Sequence, residues 1–455
     1  RDGPPYVQSY FICFGKKIIR SFTFQRFWNK VKYLEKYKKV VRLYEAGLTS
    51  LLFKAGFKYS VFLDTTKLKG TDHTKAVKPW DVAVSRPDII IKNNLPFIKI
   101  KAVKSYPVPY AILESIRNLE NYPPILISEY FNEMHNPNAS LGVYDRYISP
   151  SLFKTKRALP LNLKIAVHLH AHFLDVFEQY ICHFNEWQFK FDLYITTDLP
   201  EKKTYIETYI ENNFINRRLT EVVITENIGR DVLPWLSLSG RLNNYDIVGH
   251  FHTKKSTHAG FWIGEIWQED MFKMLLIPAR TIMEVFCNIS NVGMVIPDIA
   301  SCFHIRPHVF SYENVNKRII AKMWKKMKCT KDVPFKDLPI FIMHYGNMFW
   351  YKPAALKPLF DLGLSANDFP GEPLPLDGTI THAIERITTY ISWNSGYDFR
   401  IIKNERSLYN GFIDNMAFNH LYSHILKSRT YLITKALFFL PKIIKKTIIK
   451  MIFRG

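Results

Sequence analysis

Between residues 161 and 400 the chain alternates short runs of β-branched and aromatic residues with longer amphipathic runs. Runs at 164–170, 191–197, 221–225, 245–251 and 293–297 read as strands. Runs at 174–184, 202–213 and 232–242 carry apolar residues at helical spacing. Repeated strand–helix units fold into an α/β domain, a mostly parallel sheet with helices on both faces. In such a sheet ligands bind beyond the carboxyl ends of the strands. Polar clusters sit at those ends here: Thr196-Thr197-Asp198, then Glu226 to Asp231, then His252 to Ser256.

The chain has 455 residues, enough for two to three domains. With 47% hydrophobic and 22% charged residues it is not a disordered chain. Its net charge of +22 points to anionic partners: nucleic acid, phosphorylated small molecules or an anionic membrane face. The five cysteines are scattered without a CxxC pair, which argues against a disulfide framework or zinc ribbon and for a reducing cytosol. The sequence opens on Arg1 with no signal-peptide pattern, and an incomplete N-terminus is expected. No run of about 18 uncharged apolar residues occurs, so no spanning helix is expected.

Four regions are expected: 1–120, a connector at 121–160, a main domain at 161–400 and a tail at 401–455. The first alternates aromatic strand-like runs, such as 6–14, with helical ones. The connector holds Pro123, Pro124, Pro137 and Pro160, and its sequon Asn138-Ala139-Ser140 reads as a solvated loop. From Lys427 onward Lys and Arg interleave with Leu, Ile and Phe, without Asp or Glu. That pattern is a basic amphipathic helix for an anionic membrane surface, or else a packed terminal helix with a solvated face.

The densest chemistry lies at the ends of the third and fourth strands. Gly229 allows a tight turn and close backbone approach, and Asn227, Arg230 and Asp231 flank it. A helix start following such a turn offers N–H groups to an anion. His252, Thr253, Lys254, Lys255 and Ser256 fall at the same edge, and together these residues form a candidate diphosphate cradle. His168, His170 and His172 alternate and share one strand face, but no Cys or carboxylate set accompanies them, so no metal site is assigned.

The order Asn227-x-Gly229-Arg230-Asp231-Val232, then Tyr245-Asp246, then His252-Thr253-Lys254-Lys255-Ser256 resembles the rhamnan synthesis protein F family of surface-polysaccharide glycosyltransferases. Gly346 to Lys352, Asp377-Gly378-Thr379 and His382-Ala383-Ile384-Glu385-Arg386 are similar to further segments of that family. The resemblance covers residues 161–400 and implies a GT-A-like fold. In that fold Asp-x-Asp holds the metal of a sugar nucleotide, whereas His252-Thr253-Lys254 stands here. A divalent ion prefers carboxylate oxygens, so metal-independent transfer is expected, with no cofactor and with Lys254 and Lys255 neutralising the leaving diphosphate.

The same resemblance puts Thr196, Thr197 and Asp198 beside the ribose or base, with the His170 strand against the nucleotide. An inverting transfer needs a base. Asp368, Glu372 and Asp377 are the candidates, Glu372 first, because their loop resembles the acceptor-side acidic loop of GT-A enzymes. His382 and Glu385, at i and i+3, and Arg386 beside them are expected to support that loop or touch diphosphate. Residues 1–120, including 96–99 as a terminal strand, resemble the closing part of a second glycosyltransferase-like module.

The function implied is sugar transfer, with rhamnose as the family's typical sugar, from a nucleotide-sugar donor to a lipid-linked glycan of an O-antigen, capsule or rhamnan. The expected setting is the cytoplasmic face of the plasma membrane, held through the tail, among other polysaccharide-assembly enzymes and without nucleic acid. Two other readings stay open. A glycan-binding scaffold would have lost catalysis with its Asp-x-Asp, and a basic nucleic-acid-binding protein would show salt-sensitive oligonucleotide binding.

Overall fold

The computed structural model describes residues 7, 11–64, 82–95, 97–104, 122–123, 125–140, 146–153, 158–255, 261–303, 313–338, 341–375 and 377–405. Two compact units divide between Pro123 and Pro124. The basic run from Lys427 and Ser256 of the candidate cradle lie outside the described residues.

Among the described residues of the first unit every regular element is helical, including Phe22–Asn29, Ala46–Lys54 and Pro87–Lys92. Of the aromatic run at 6–14, residues 7 and 11–14 are described, and they form no strand. Phe11 stacks on Phe97 at 5.2 Å between centroids, and Phe14 meets Phe24 edge-on at 4.9 Å. Such pairs satisfy aromatic side chains without a sheet. Residues 97–99 form no strand and lead directly into the helix Ile100–Lys104.

The second unit carries an eight-stranded sheet in the order β1-β8-β6-β7-β5-β2-β3-β4. Its strands are β1 (Tyr147–Ile148), β2 (Ile165–His170), β3 (Phe191–Thr197), β4 (Arg217–Ile224), β5 (Ile247–His252), β6 (Val292–Pro297), β7 (Phe349–Tyr351) and β8 (Asp398–Ile402). All neighbours run parallel except β7, which is antiparallel to both β5 and β6. The expected mostly parallel α/β sheet is therefore present.

The residues read as a connector supply part of this unit. Helix Ile125–Met134 buries Ile127 and Phe131, and Asn132 O accepts a 2.5 Å bond from Trp393 Nε1. Asn138 is not a free loop residue: it lies in the helix Pro137–Ser140 and accepts from the Tyr390 hydroxyl at 2.5 Å. Arg146, just before β1, pairs at 2.9 Å with the fully buried Asp398 of β8.

Strand alternation sorts the core into two layers. Ile165, Val167 and Leu169 of β2 face one cluster with Phe177, Tyr180 and Phe184 of α1 (Leu174–Asn185), Ile206 and Ile210 of α2 (Pro200–Asn213) and Ile282 and Phe286 of α4 (Ala279–Asn288). Ala166 of β2, Val248 of β5 and Phe349 and Tyr351 of β7 face the other. There they meet Trp235 of α3 (Val232–Ser237), Met323 and Trp324 of α5 (Glu313–Lys326) and Ile384 and Ile387 of α6 (Ile380–Asn394). From β2 the chain goes to β3 and β4 on one side, then crosses to β5 on the other. The strand order reverses at β2 and β5, and in open α/β sheets it is at such a point, beyond the carboxyl ends, that ligands bind.

Candidate functional site

β2 and β5 pair in register with His168 opposite His250 and His170 opposite His252. The period of two puts all four imidazoles on one face, and the last pair at the carboxyl ends. All four are buried. The rings of His168 and His250 lie parallel, 5.1 Å apart, with their Nδ1 atoms 2.9 Å apart. Trp235 of α3 stacks on the His250 ring at 4.8 Å.

Asp231 stands at the N-terminal cap of α3, but its carboxylate bonds none of that helix's N–H groups. It turns inward instead, accepting from His250 Nε2 at 3.3 Å and from Asn347 Nδ2. Burial alone would raise this carboxyl. His252, His250 and the Asn347 amide outweigh it and hold the group well below the usual carboxylate range. Asp231 is thus an anion built into the sheet face. Burial drives the His170 imidazole down to about 3, with His252 and His172 adding to the fall and Asp231 opposing it.

The turn before α3 is shaped by Gly229, at φ 69°, and Arg230, at φ 54°. A Cβ on Gly229 would lie 2.8 Å from the Phe369 ring and 2.9 Å from Leu233. The turn therefore packs directly against the loop carrying Asp368 and Glu372. Glu372 comes 3.6 Å from Arg230 Nε, with both side chains partly exposed, and accepts from Leu374 N at 2.8 Å. Asn227 is exposed on the same turn.

After β5 the chain divides the two lysines. Lys254 is half-buried, its ammonium 3.4 Å above the Trp267 ring, and no ion pair to it is found among the described residues. Burial lowers its pKa, the charges of Glu385 and Asp231 oppose this, and Arg230 adds to the lowering. Lys254 thus shares an electrostatic neighbourhood with Arg230 and Asp231. Lys255 is exposed, pairs at 2.5 Å with Asp175 and lies 5.4 Å from Phe173, at the start of α1. Thr253 is a structural pin: its Oγ1 accepts from the backbone N–H groups of His172 and Phe173 at 2.8 and 2.9 Å.

The remaining expected residues fall into two groups. Thr197 Oγ1 donates to Ala171 O at 2.9 Å, and Asp198 is held by Lys202 at 2.6 Å with His172 at 3.3 Å. The three alternating histidines separate accordingly, because β2 ends at His170 and His172 turns to Asp198. In the other group, Asp377 is consumed by support: it accepts from Asn316 at 2.7 Å, Gly378 N at 2.7 Å and Arg386 at 2.8 Å. His382 bonds Thr379 at 2.8 Å, and Glu385 accepts from Gly346 N at 2.8 Å. Asp368 closes a capping box with Ser365 and lies 3.8 Å from Lys326. Of the three acidic candidates, Glu372 alone is placed against Arg230.

His168, His250, Trp235, Trp267 and Asn347 belong to this neighbourhood without having been assigned roles from sequence, and Thr196, expected at the nucleobase or ribose, bonds His168 and His170. The repeated His-x-His at 168–170 and 250–252 was the visible signal, since two strands with the same alternation stack their histidines when in register. Among the described residues no group of three or more His, Cys, Asp or Glu side chains is arranged to hold a metal ion. Nor is any described helix long and apolar enough to cross a membrane.

Comparison with known proteins agrees with this picture. The family model described as "Rhamnan synthesis protein F" matches residues 4–397. An "Uncharacterized protein WxcX" of Xanthomonas campestris pv. campestris (strain B100) is 33% identical over 246 residues, which are 53% of this chain and 33% of that protein. A WxcX from a second strain of that organism is 32% identical over 246 residues, with the same coverage. The chain therefore spans about a third of the length of the curated relatives it matches. The family match runs through every motif of the site, and the chain belongs to the rhamnan synthesis protein F family.

Proposed function

We propose that this protein is a glycosyltransferase of surface-polysaccharide synthesis, moving a sugar from a nucleotide-sugar donor to a growing lipid-linked glycan. The observation that carries this reading is Lys254: a half-buried ammonium at the switch point of a parallel sheet, stacked on Trp267 and without an ion-pair partner among the described residues. A desolvated cation at such an edge favours an anionic ligand, and a diphosphate supplies the charge. Arg230 on the adjacent Gly229 turn adds a second cation.

The order of strand, Gly turn, short helix and strand, with β7 reversed within the sheet, supports the GT-A-like assignment. Where that fold's metal-binding carboxylates stand, this chain has His252 and Lys254, so the ammonium takes the electrostatic role and transfer proceeds without a divalent ion. Glu372 acts as base on the acceptor hydroxyl, placed by its 3.6 Å contact with Arg230 on the Gly229 turn. The basic run from Lys427 holds the protein to an anionic membrane surface, where lipid-linked acceptors reside.

The test is turnover of labelled deoxythymidine diphosphate rhamnose and a panel of uridine diphosphate sugars, each with magnesium and with chelator. Release of nucleoside diphosphate, undiminished by chelator, is expected for at least one donor. Binding without release under any condition would identify a scaffold instead, and loss of turnover with chelator would remove the metal-independent mechanism.

A further inference from the structure

Hydrogen bonds link Asp231 to the end of β2 through three buried rings. His250 Nε2 is 3.3 Å from Asp231 Oδ2, His250 Nδ1 is 2.9 Å from His168 Nδ1, and His168 Nε2 is 2.9 Å from Thr196 Oγ1. Thr196 Oγ1 is in turn 3.0 Å from His170 Nδ1. With neutral rings and an ionised Asp231, the protons have one consistent arrangement. A carboxylate only accepts, so His250 carries its proton on Nε2 and leaves Nδ1 bare. His168 must then donate from Nδ1, leaving its own Nε2 bare. The single hydroxyl proton of Thr196 goes to that nitrogen, and the hydroxyl oxygen accepts from His170 Nδ1. His170 is left with a lone pair on Nε2, and that atom has no hydrogen-bond partner among the described residues. Asn347 Nδ2, 3.3 Å from His250 Nε2, is a second donor aimed at the same Asp231 oxygen, so it does not reverse the order.

We propose that this chain is a tautomer relay. Asp231, His250, His168 and Thr196 fix His170 as a neutral, Nδ1-protonated ring whose Nε2 accepts a hydrogen bond from the ligand at the switch-point crevice. A lysine or a protonated histidine there would only donate. A neutral acceptor selects a ligand group that donates, an imide N–H of a nucleobase or a hydroxyl of the ribose. His170 is the residue that meets the ligand, and the other four are positioning residues. The ligand class rests on the nucleotide-sugar reading above, but the proton arrangement does not.

The experiment uses the full chain with nitrogen-15 labelled histidine. Long-range proton–nitrogen spectra at neutral pH should show His170 protonated on Nδ1 and bare on Nε2, and His250 with the opposite tautomer. In Thr196→Val the His170 preference should be lost, and in Thr196→Ser it should return. An Nε2-protonated or doubly protonated His170 in the parent protein would overturn the relay, whichever nucleotide binds. Calorimetry with uridine diphosphate, cytidine diphosphate and pyrophosphate forms the second arm. Thr196→Val should weaken the nucleotides about tenfold, as for one lost neutral hydrogen bond, and leave pyrophosphate unchanged. A loss confined to uridine diphosphate assigns the donor to the imide N–H, which cytosine lacks, and an equal loss for both nucleotides assigns it to the ribose. Unchanged nucleotide binding, or a matching loss for pyrophosphate, would contradict ligand recognition by His170.

Discussion

Single side chains decide the chemistry of this site, and the two adjacent lysines are the sharpest contrast. Lys254 and Lys255 are indistinguishable as a pair in the sequence, from which both are expected at a diphosphate. The structure gives Lys255 its own carboxylate in Asp175 and leaves Lys254 above an indole. Lys255→Met should therefore change turnover by less than about threefold, in keeping with the small worth of exposed ion pairs. The buried histidines carry a pH signature. Burial holds His344 at about 3 in the fold, below its unfolded value near 6.5. Between those limits the unfolded chain binds a proton that the folded one does not. Stability is therefore complete above the unfolded value and falls with pH through that window, by about 1.4 kcal/mol per unit for each such ring. His344→Gln should flatten the slope of unfolding free energy between pH 6 and 4 by about that amount. An unchanged slope would show that this ring already titrates in the folded protein.

At the scale of elements, the strands of the second unit were the easiest part to read. β2, β3, β5 and β6 are bounded apolar runs followed by polar clusters, and their ends fall within two residues of expectation. β1 and β8 were not anticipated, because Tyr147–Ile148 is too short to show a period and β8 opens on Asp398 and contains Arg400. Those charges sit inside because Arg146, 252 residues earlier in the chain, pairs with Asp398, a pairing no local pattern reveals. Arg146→Met should cost about 3–5 kcal/mol in urea unfolding, since it takes one of its guanidinium partners from a buried carboxylate. Phe11 and Phe14, read from sequence as part of a strand, pack as rings instead, because ring packing and strand pairing use the same residues. Gly229 is the hinge between turn and loop. Gly229→Ala meets both a positive φ and the Phe369 ring, and should displace the Glu372 loop. The expected result is a loss of turnover larger than the roughly 1 kcal/mol that the backbone strain alone brings to stability. Equal, small changes in both would separate that loop from catalysis.

For the molecule as a whole, the topology explains why chemistry gathers in one place. Strand order reverses at β2 and β5, the reversal opens an edge, and paired His-x-His strands, the Gly229 turn and Lys254 all converge on it. Sequence order disclosed that edge, because polar clusters followed successive strands. It did not disclose which members face one another, since register and the direction of each side chain are set by the packed sheet. The net charge of +22 is spread well beyond this edge and does not locate the site. The account depends most on the Lys254 ammonium meeting a donor diphosphate. Its direct measurement is calorimetric titration of deoxythymidine and uridine diphosphates, with chelator present, into the parent protein and Lys254→Met, which keeps the stem over Trp267 and removes the charge. The account predicts binding to the parent and about 10- to 100-fold weaker binding to the variant, the worth of one charge-assisted contact. Equal affinity for both proteins would contradict it.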